Sequence, residues 1–216
     1  MKRRFVWGLC VLFILLALIP LFLKKQENII APTPSPSPVS TSHAQSLDLD
    51  YGSFSVTVWP MLSESWEMIT KDTPDEWLGK YAGFKDMLDD RRLFYQLNTE
   101  LAKNNQGEYV DGYFIDQRNE GLTLDFASLS DNEIQAILKK EAPDDLFYKT
   151  IPNLYQKWAL LELQSSDPTW KKMMAITYMD GVCISYVYAC DTDLYSAERA
   201  ENALTDAISR TSVKIN

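Results

Sequence analysis

The first apolar pattern along the chain is an uncharged run, FVWGLCVLFILLALIPLFL, over residues 5–23. At ~1.5 Å per helical residue it spans roughly 28 Å, close to the ~30 Å hydrocarbon core of a bilayer, and so predicts one transmembrane helix. Lys2, Arg3 and Arg4 precede the run and Lys24 and Lys25 follow it. With the terminal amine counted, the front flank is the more positive, which predicts a cytoplasmic N-terminus over residues 1–4 and a chain that emerges on the far side of the membrane. A cleaved signal peptide is the competing reading. It calls for a shorter apolar core of ~7–15 residues with a small-x-small site close behind. Here two lysines follow directly, and Ser42-His43-Ala44 stands far downstream. The pattern fits an uncleaved signal anchor better.

The pattern changes over residues 24–46, where APTPSPSPVSTSHAQS alternates proline with small polar residues. Such a segment favours extended polyproline-type chain and cannot build a core, so it reads as a spacer. Residues 47–216 then carry the periodicities of one globular domain. Phe54, Val56 and Val58 alternate with Ser55 and Thr57, predicting a half-buried strand that ends at Pro60, with a short extended piece over 66–69. Thr73-Pro74-Asp75-Glu76 has the form of a helix start with Thr73 as cap. Trp77, Tyr81, Phe84 and Leu88 follow as a helical stripe, weakened by Gly79 and Gly83. The stripe shifts phase near 89–92, predicting a bend or a second helix to about Lys103, stopped by Asn104-Asn105-Gln106-Gly107.

Two strands over 109–116 and 122–127 stand at hairpin spacing. Ser130 and Glu133 form a capping box opening a helix that ends before Pro143, and a loop is expected over 143–152. Segments 155–163, 170–178 and 182–190 read as a three-stranded meander, with turns at Asp167-Pro168 and Met179-Asp180-Gly181. A last helix over 194–209 places Ala197, Ala200, Leu204, Ala207 and Ile208 on one face. Consecutive strands with short turns imply an antiparallel β-sheet, which amphipathic helices must cover. The expectation is an α+β fold, an α-β-α sandwich behind one N-terminal transmembrane helix.

This order resembles the PsbP/Mog1-like family of α-β-α sandwiches. The likeness rests on three features. Phe54-x-Val56-x-Val58-x-Pro60 is followed by Trp66. Gly121-Leu122-Thr123-Leu124-Asp125-Phe126 leads to Ser130. Strand, Gly181, strand and helix then close the chain, with Thr211-Ser212-Val213 as a short tail. The stretch between Trp66 and Tyr109 is longer than in the family pattern, and no glycine precedes Trp66. The resemblance implies a non-enzymatic binding or assembly role, with no catalytic residues to carry over.

Charge narrows the partners. Residues 1–46 hold five basic groups and one acidic, out of 21 Lys and Arg and 30 Asp and Glu, so residues 47–216 carry 16 against 29, a net of −13. A surface that negative repels phosphate backbones, and nucleic acid is not an expected partner. Basic partners and cations remain compatible. The sole histidine, His43, lies in the linker, which removes Ser-His-Asp, Cys-His and His-rich zinc chemistry from the domain. No G-x-S-x-G, Walker or G-x-G-x-x-G motif occurs. No catalytic, cofactor-binding or metal residue is therefore assigned, and no cofactor is expected.

Cys183 and Cys190, if on one strand, stand roughly 23 Å apart on opposite faces, too far for a disulfide. They read as buried small hydrophobes, with a redox or intermolecular role as the alternative. Of the carboxylates, Asp89, Asp90, Asp111, Asp116, Asp144, Asp145, Asp191 and Asp193, two facing one cleft would be needed for glycosidase-type chemistry. Asp191-Thr192-Asp193 fits helix capping, or calcium ligation as the alternative. Trp59 and Trp170 are the candidate ligand or partner contacts, each also compatible with core packing. The reading is a membrane-anchored extracytoplasmic domain, non-enzymatic, binding a protein partner or cell-envelope ligand. The alternatives are a small carboxylate-dependent envelope enzyme and a carbohydrate-binding module.

Overall fold

A computed structural model describes residues 46–50, 52, 54–58, 65–87, 92–153 and 156–215. The predicted anchor, nearly all of the linker, and Trp59 lie outside these residues, as do Asp89 and Asp90. Among the described residues no helix is long and apolar enough to cross a membrane.

The long strands in the second half of the domain are apolar on both faces, so both faces have to be covered. They belong to an antiparallel seven-stranded sheet ordered β3-β4-β5-β9-β8-β7-β6. Its strands are β3 (Trp66–Met68), β4 (Arg92–Asn98), β5 (Glu108–Asp116), β6 (Leu146–Asn153), β7 (Gln156–Leu163), β8 (Trp170–Met179) and β9 (Val182–Asp191). A second sheet sets β2 (Phe54–Val58) between β1 (Leu47–Asp50) and β10 (Thr211–Ile215), both antiparallel to it. The expected tail over Thr211-Ser212-Val213 is thus a paired strand. The helices are α1 (Asp75–Leu78), α2 (Thr99–Lys103), α3 (Asp131–Glu141) and α4 (Ala197–Ser209).

β9 occupies the centre of the large sheet, and its alternation divides the core. Val182, Ile184, Tyr186, Tyr188 and Cys190 face one side, where Phe54, Val56 and Val58 of β2 and Ala200, Leu204, Ala207 and Ile208 of α4 pack on them. On that side Trp158 stacks on Tyr186 with ring centroids 5.0 Å apart. Cys183 and Val187 face the other side, beneath Ile134 and Leu138 of α3 and Phe126. Farther along that side, Ala189 and Tyr109 meet Leu78, Tyr81 and Ala102. The two cysteines do lie on opposite faces, both buried and unpaired in disulfides.

The meander, the capping box and the last helix form as their patterns predict. Ser130 N donates to Glu133 Oε2 at 2.8 Å while Glu133 N donates back to Ser130 Oγ at 3.4 Å. Asp180 and Gly181 take φ of +46° and +79°, the two left-handed residues a tight β8–β9 turn requires. A β-carbon on Gly181 would stand 2.1 Å from Leu122 O, so this glycine also answers a close approach.

Four expectations are corrected. Thr73 does not cap α1: Pro74 holds that place, and Thr73 Oγ1 accepts from Thr70 N at 2.9 Å. The helix itself ends at Gly79, whose φ is +52°, and continues as 3-10 turns over Gly79–Met87. Residues 92–98 are a strand and not a helix. They are laddered to β3 on one side and β5 on the other, and two strand neighbours override the helical tendency of the segment. Residues 122–127 form no hairpin with β5, because both edges of β5 are already taken by β4 and β9. That segment instead crosses the β8–β9 turn, where Gly181 N donates to Leu124 O at 3.0 Å, and ends in a 3-10 turn, Phe126–Ser128. The expected loop at 143–152 contains β6. Pro152 is tolerated there because β6 is an edge strand with one neighbour, β7.

Candidate functional site

Trp170, proposed as an exposed contact, is buried to all but 9% of its surface. Its ring meets Tyr81 edge-on at 6.2 Å and Tyr109 at 5.5 Å. The indole lies over Gly107, where a β-carbon would come within 2.3 Å of Trp170 Cη2 and 2.6 Å of Tyr81 Oη. Trp170 opens β8 opposite Asp191, and that register turns its ring under the 3-10 segment instead of to solvent. It is a core residue, and the expectation of an exposed platform is withdrawn for it.

The carboxylates are spread through the fold. Asp116 accepts three bonds from Arg118, from its backbone N at 3.1 Å, Nε at 3.0 Å and Nη2 at 2.8 Å. Asp191 was expected to cap a helix, yet its Oδ2 accepts from Gly107 N at 2.8 Å, closing the end of the β5–β9 ladder. The cap of α4 is Ser196, whose Oγ accepts from Arg199 N at 3.1 Å. Asp111 is buried on the face shared with Val187, accepting from Tyr113 Oη at 2.9 Å. On that same face, burial pulls the Lys172 ammonium below its usual pKa, against the opposing attraction of Asp111 and Asp167. Among the described residues no group of three or more His, Cys, Asp or Glu could hold a metal ion.

The most developed polar cluster was not anticipated. Glu108 is 2% exposed and receives four hydrogen bonds. Arg199 Nε reaches Oε1 at 2.5 Å and Nη2 reaches Oε2 at 2.7 Å. Tyr188 Oη donates to Oε1 at 2.8 Å and Asn98 Nδ2 to Oε2 at 2.8 Å. Strand register and helix capping bring these together. Tyr188 is two residues along β9 from Cys190, the register partner of Glu108, and Ser196 sets the first turn of α4 so that Arg199 overhangs the strand. Desolvation works to raise the Glu108 pKa, but the bonds from Arg199, Tyr188 and Asn98 outweigh it and hold the carboxyl below its usual range. With both oxygens doubly engaged, this carboxylate is placed to pin α4 to the sheet and not to move protons.

The exposed apolar surface lies elsewhere. Among the described residues, the large hydrophobic side chains left in water are Leu146, 61% exposed, and Tyr148, 44% exposed, both on β6. Pairing with β7 shifts register between Phe147 and Lys149, so Tyr148 is the extra residue of a bulge. The Lys149 ammonium sits 5.6 Å from the centre of the Tyr148 ring and pairs with Glu201 of α4. On the other face Thr150 Oγ1 donates to Asp131 of α3 at 2.7 Å. The edge of β6 therefore runs between two helices, with an acidic side chain from each.

No family model matches this chain, and no curated protein matches it. Solved structures of similar chain arrangement do. One is a crystal structure from Bacteroides thetaiotaomicron VPI-5482, 11% identical, covering 80% of this chain and 49% of that one at a TM-score of 0.39. This chain thus spans about half the length of the Bacteroides protein. Another is the cyanobacterial PsbP (CyanoP) of Synechocystis sp. PCC 6803, 10% identical, covering 85% and 99% at a TM-score of 0.37. A third is LpqN of Mycobacterium tuberculosis, involved in cell envelope biogenesis, 12% identical, covering 80% and 92% at 0.40. The structural neighbours thus include a PsbP protein.

Proposed function

We propose that this chain is a membrane-tethered extracytoplasmic binding domain, non-enzymatic, whose ligand is a protein of the cell envelope. Residues 5–23 are its anchor in this reading and residues 24–46 its spacer. The observation that carries the binding role is the apolar pair Leu146 and Tyr148 on a sheet edge. Isolated exposed hydrophobics are ordinary, but two on one strand whose outer side meets no other strand among the described residues offer both apolar area and backbone groups to a partner. A structural role for Glu108, Asp116 and Asp191, each held by neighbouring donors, favours binding over carboxylate catalysis.

The test is recovery from crosslinked membranes, with full-length protein against a copy lacking residues 47–216. Envelope proteins recovered with the intact chain and absent from the truncated control support the reading. Equal recovery with both would assign the interaction to the N-terminal segment and defeat it.

A further inference from the structure

Resting on the binding role just proposed, we infer that β6 takes up an extended apolar-and-basic segment of its partner protein as an additional antiparallel or parallel strand of the large sheet. The four sheet ends differ in what they offer. β3 is three residues long, and its Trp66 is buried. β1 exposes Asp48 and Asp50, and β10 exposes Ser212 and Lys214, all polar. β6 is eight residues long and has β7 as its one strand neighbour, so its outer row of N–H and C=O groups faces no strand among the described residues. It also carries the exposed apolar side chains. Strand addition uses these two features together, backbone bonds for affinity and side-chain contacts for selection.

Pro152 blunts the far end of β6, which leaves Leu146 to Thr150 as the receptive half. The bulge turns Tyr148 out of the ladder, where its ring is placed to cover a side chain of an added strand. Charge selects the occupant. The approach to β6 passes exposed Asp144, and the two lysines beside it are each already paired, Lys149 with Glu201 and Lys157 with Asp131. The domain as a whole carries −13, from 16 basic and 29 acidic residues. A second copy of the same domain would bring a like-charged edge, whereas a segment alternating apolar residues with lysine or arginine meets complementary charge.

The experiment uses the full-length chain in mild detergent and an eight-residue capped peptide alternating valine and lysine, matching the eight residues of β6 in length. Binding is read by anisotropy of the labelled peptide and its place by amide hydrogen exchange. The expected result is slowed exchange over residues 146–151, and binding about tenfold weaker or worse in Leu146→Ser/Tyr148→Ser, which removes the apolar contacts without adding charge. Glutamate in place of lysine should abolish it. Two N-methylated peptides, blocked at odd or at even positions, leave the protein untouched and keep the test decisive even if the double variant unfolds. One should bind and the other not, because a strand uses alternate N–H groups toward its neighbour. Equal binding of the two, protection away from β6, indifference to glutamate, no binding up to millimolar peptide, or self-association of the chain through β6 would each overturn the inference. An envelope partner crosslinking outside β6 would overturn it while leaving the binding role intact. Absence of any partner would strike at the binding role itself.

Discussion

Replacing Arg199 by alanine takes two of four donors from a carboxylate whose side chain is 2% exposed. Stripping the partner from a fully buried charge costs about 3–5 kcal/mol. Here 44% of the Arg199 side chain already reaches solvent, so water enters the vacated space and screens what remains. The discounted cost is about 2–3 kcal/mol. With a urea dependence of about 2 kcal/mol per molar, the unfolding midpoint should fall by roughly 1 M. Tryptophan fluorescence of the full-length chain follows the transition, since Trp66, Trp158 and Trp170 are buried in the domain. The pH dependence has a definite sign. Glu108 is held below its usual pKa in the native state. Its contribution is therefore complete above the unfolded value of about 4.3 and is lost as pH falls through the lower native value. The gap between native protein and Arg199→Ala should be full at neutral pH and close on acidification. Arg199→Lys should lie between, keeping the charge but losing the two-pronged geometry. Combining Glu108→Gln with Arg199→Met should recover part of the loss, because no buried charge is left unpaired. An unchanged midpoint at pH 7, or a gap that widens in acid, refutes the argument.

Gly107→Ala drives a β-carbon against the rings of Trp170 and Tyr81 and should cost about 2 kcal/mol, a fall of roughly 4–8 °C in Tm by calorimetry. Gly181→Ala should cost more, since the obstacle is the backbone oxygen of Leu122 and the φ of +79° suits glycine. Burial pushes the Cys183 thiol up to about 12 and raises Cys190 as well. Both should resist iodoacetamide in the native chain near pH 8 and react once urea unfolds it, as peptide mass spectrometry would show. Alkylation of Cys190 at its unfolded rate in native protein would mean that the side of β9 under α4 opens readily.

Local sequence chemistry was legible wherever the partners are close along the chain. The Ser130–Glu133 box is complete within four residues, and the β8–β9 turn is written in Asp180-Gly181. The apolar stripe of α4 survives because Ala200, Leu204, Ala207 and Ile208 all meet the same sheet face. A period of two alone put Cys183 and Cys190 on opposite sides of one strand. Reading failed where a segment's state depends on which neighbour it finds. Residues 92–98 carry an ambiguous mixture of long and aromatic side chains and become β4 because β3 and β5 flank them. Residues 122–127 look like a strand but find both edges of β5 occupied.

The candidate surfaces divide along the same line. Alternation and capping determine where the strands of the meander lie, which side of α4 is buried and where Arg199 stands on its first turn. Nothing local says that Glu108, 91 positions from Arg199, shares its hydrogen bonds. That pairing follows from the β5–β9 register and the seat of α4 across it. Likewise composition announces an acidic, aromatic-rich domain, yet whether a given aromatic is core or surface is a property of packing. Trp170 is covered by Tyr81 and Tyr109, while Leu146 and Tyr148 are left exposed because β6 falls at the end of the sheet order. Burial is set by which strand lies last in the sheet, and that order emerges from long-range pairing which no short window of sequence contains.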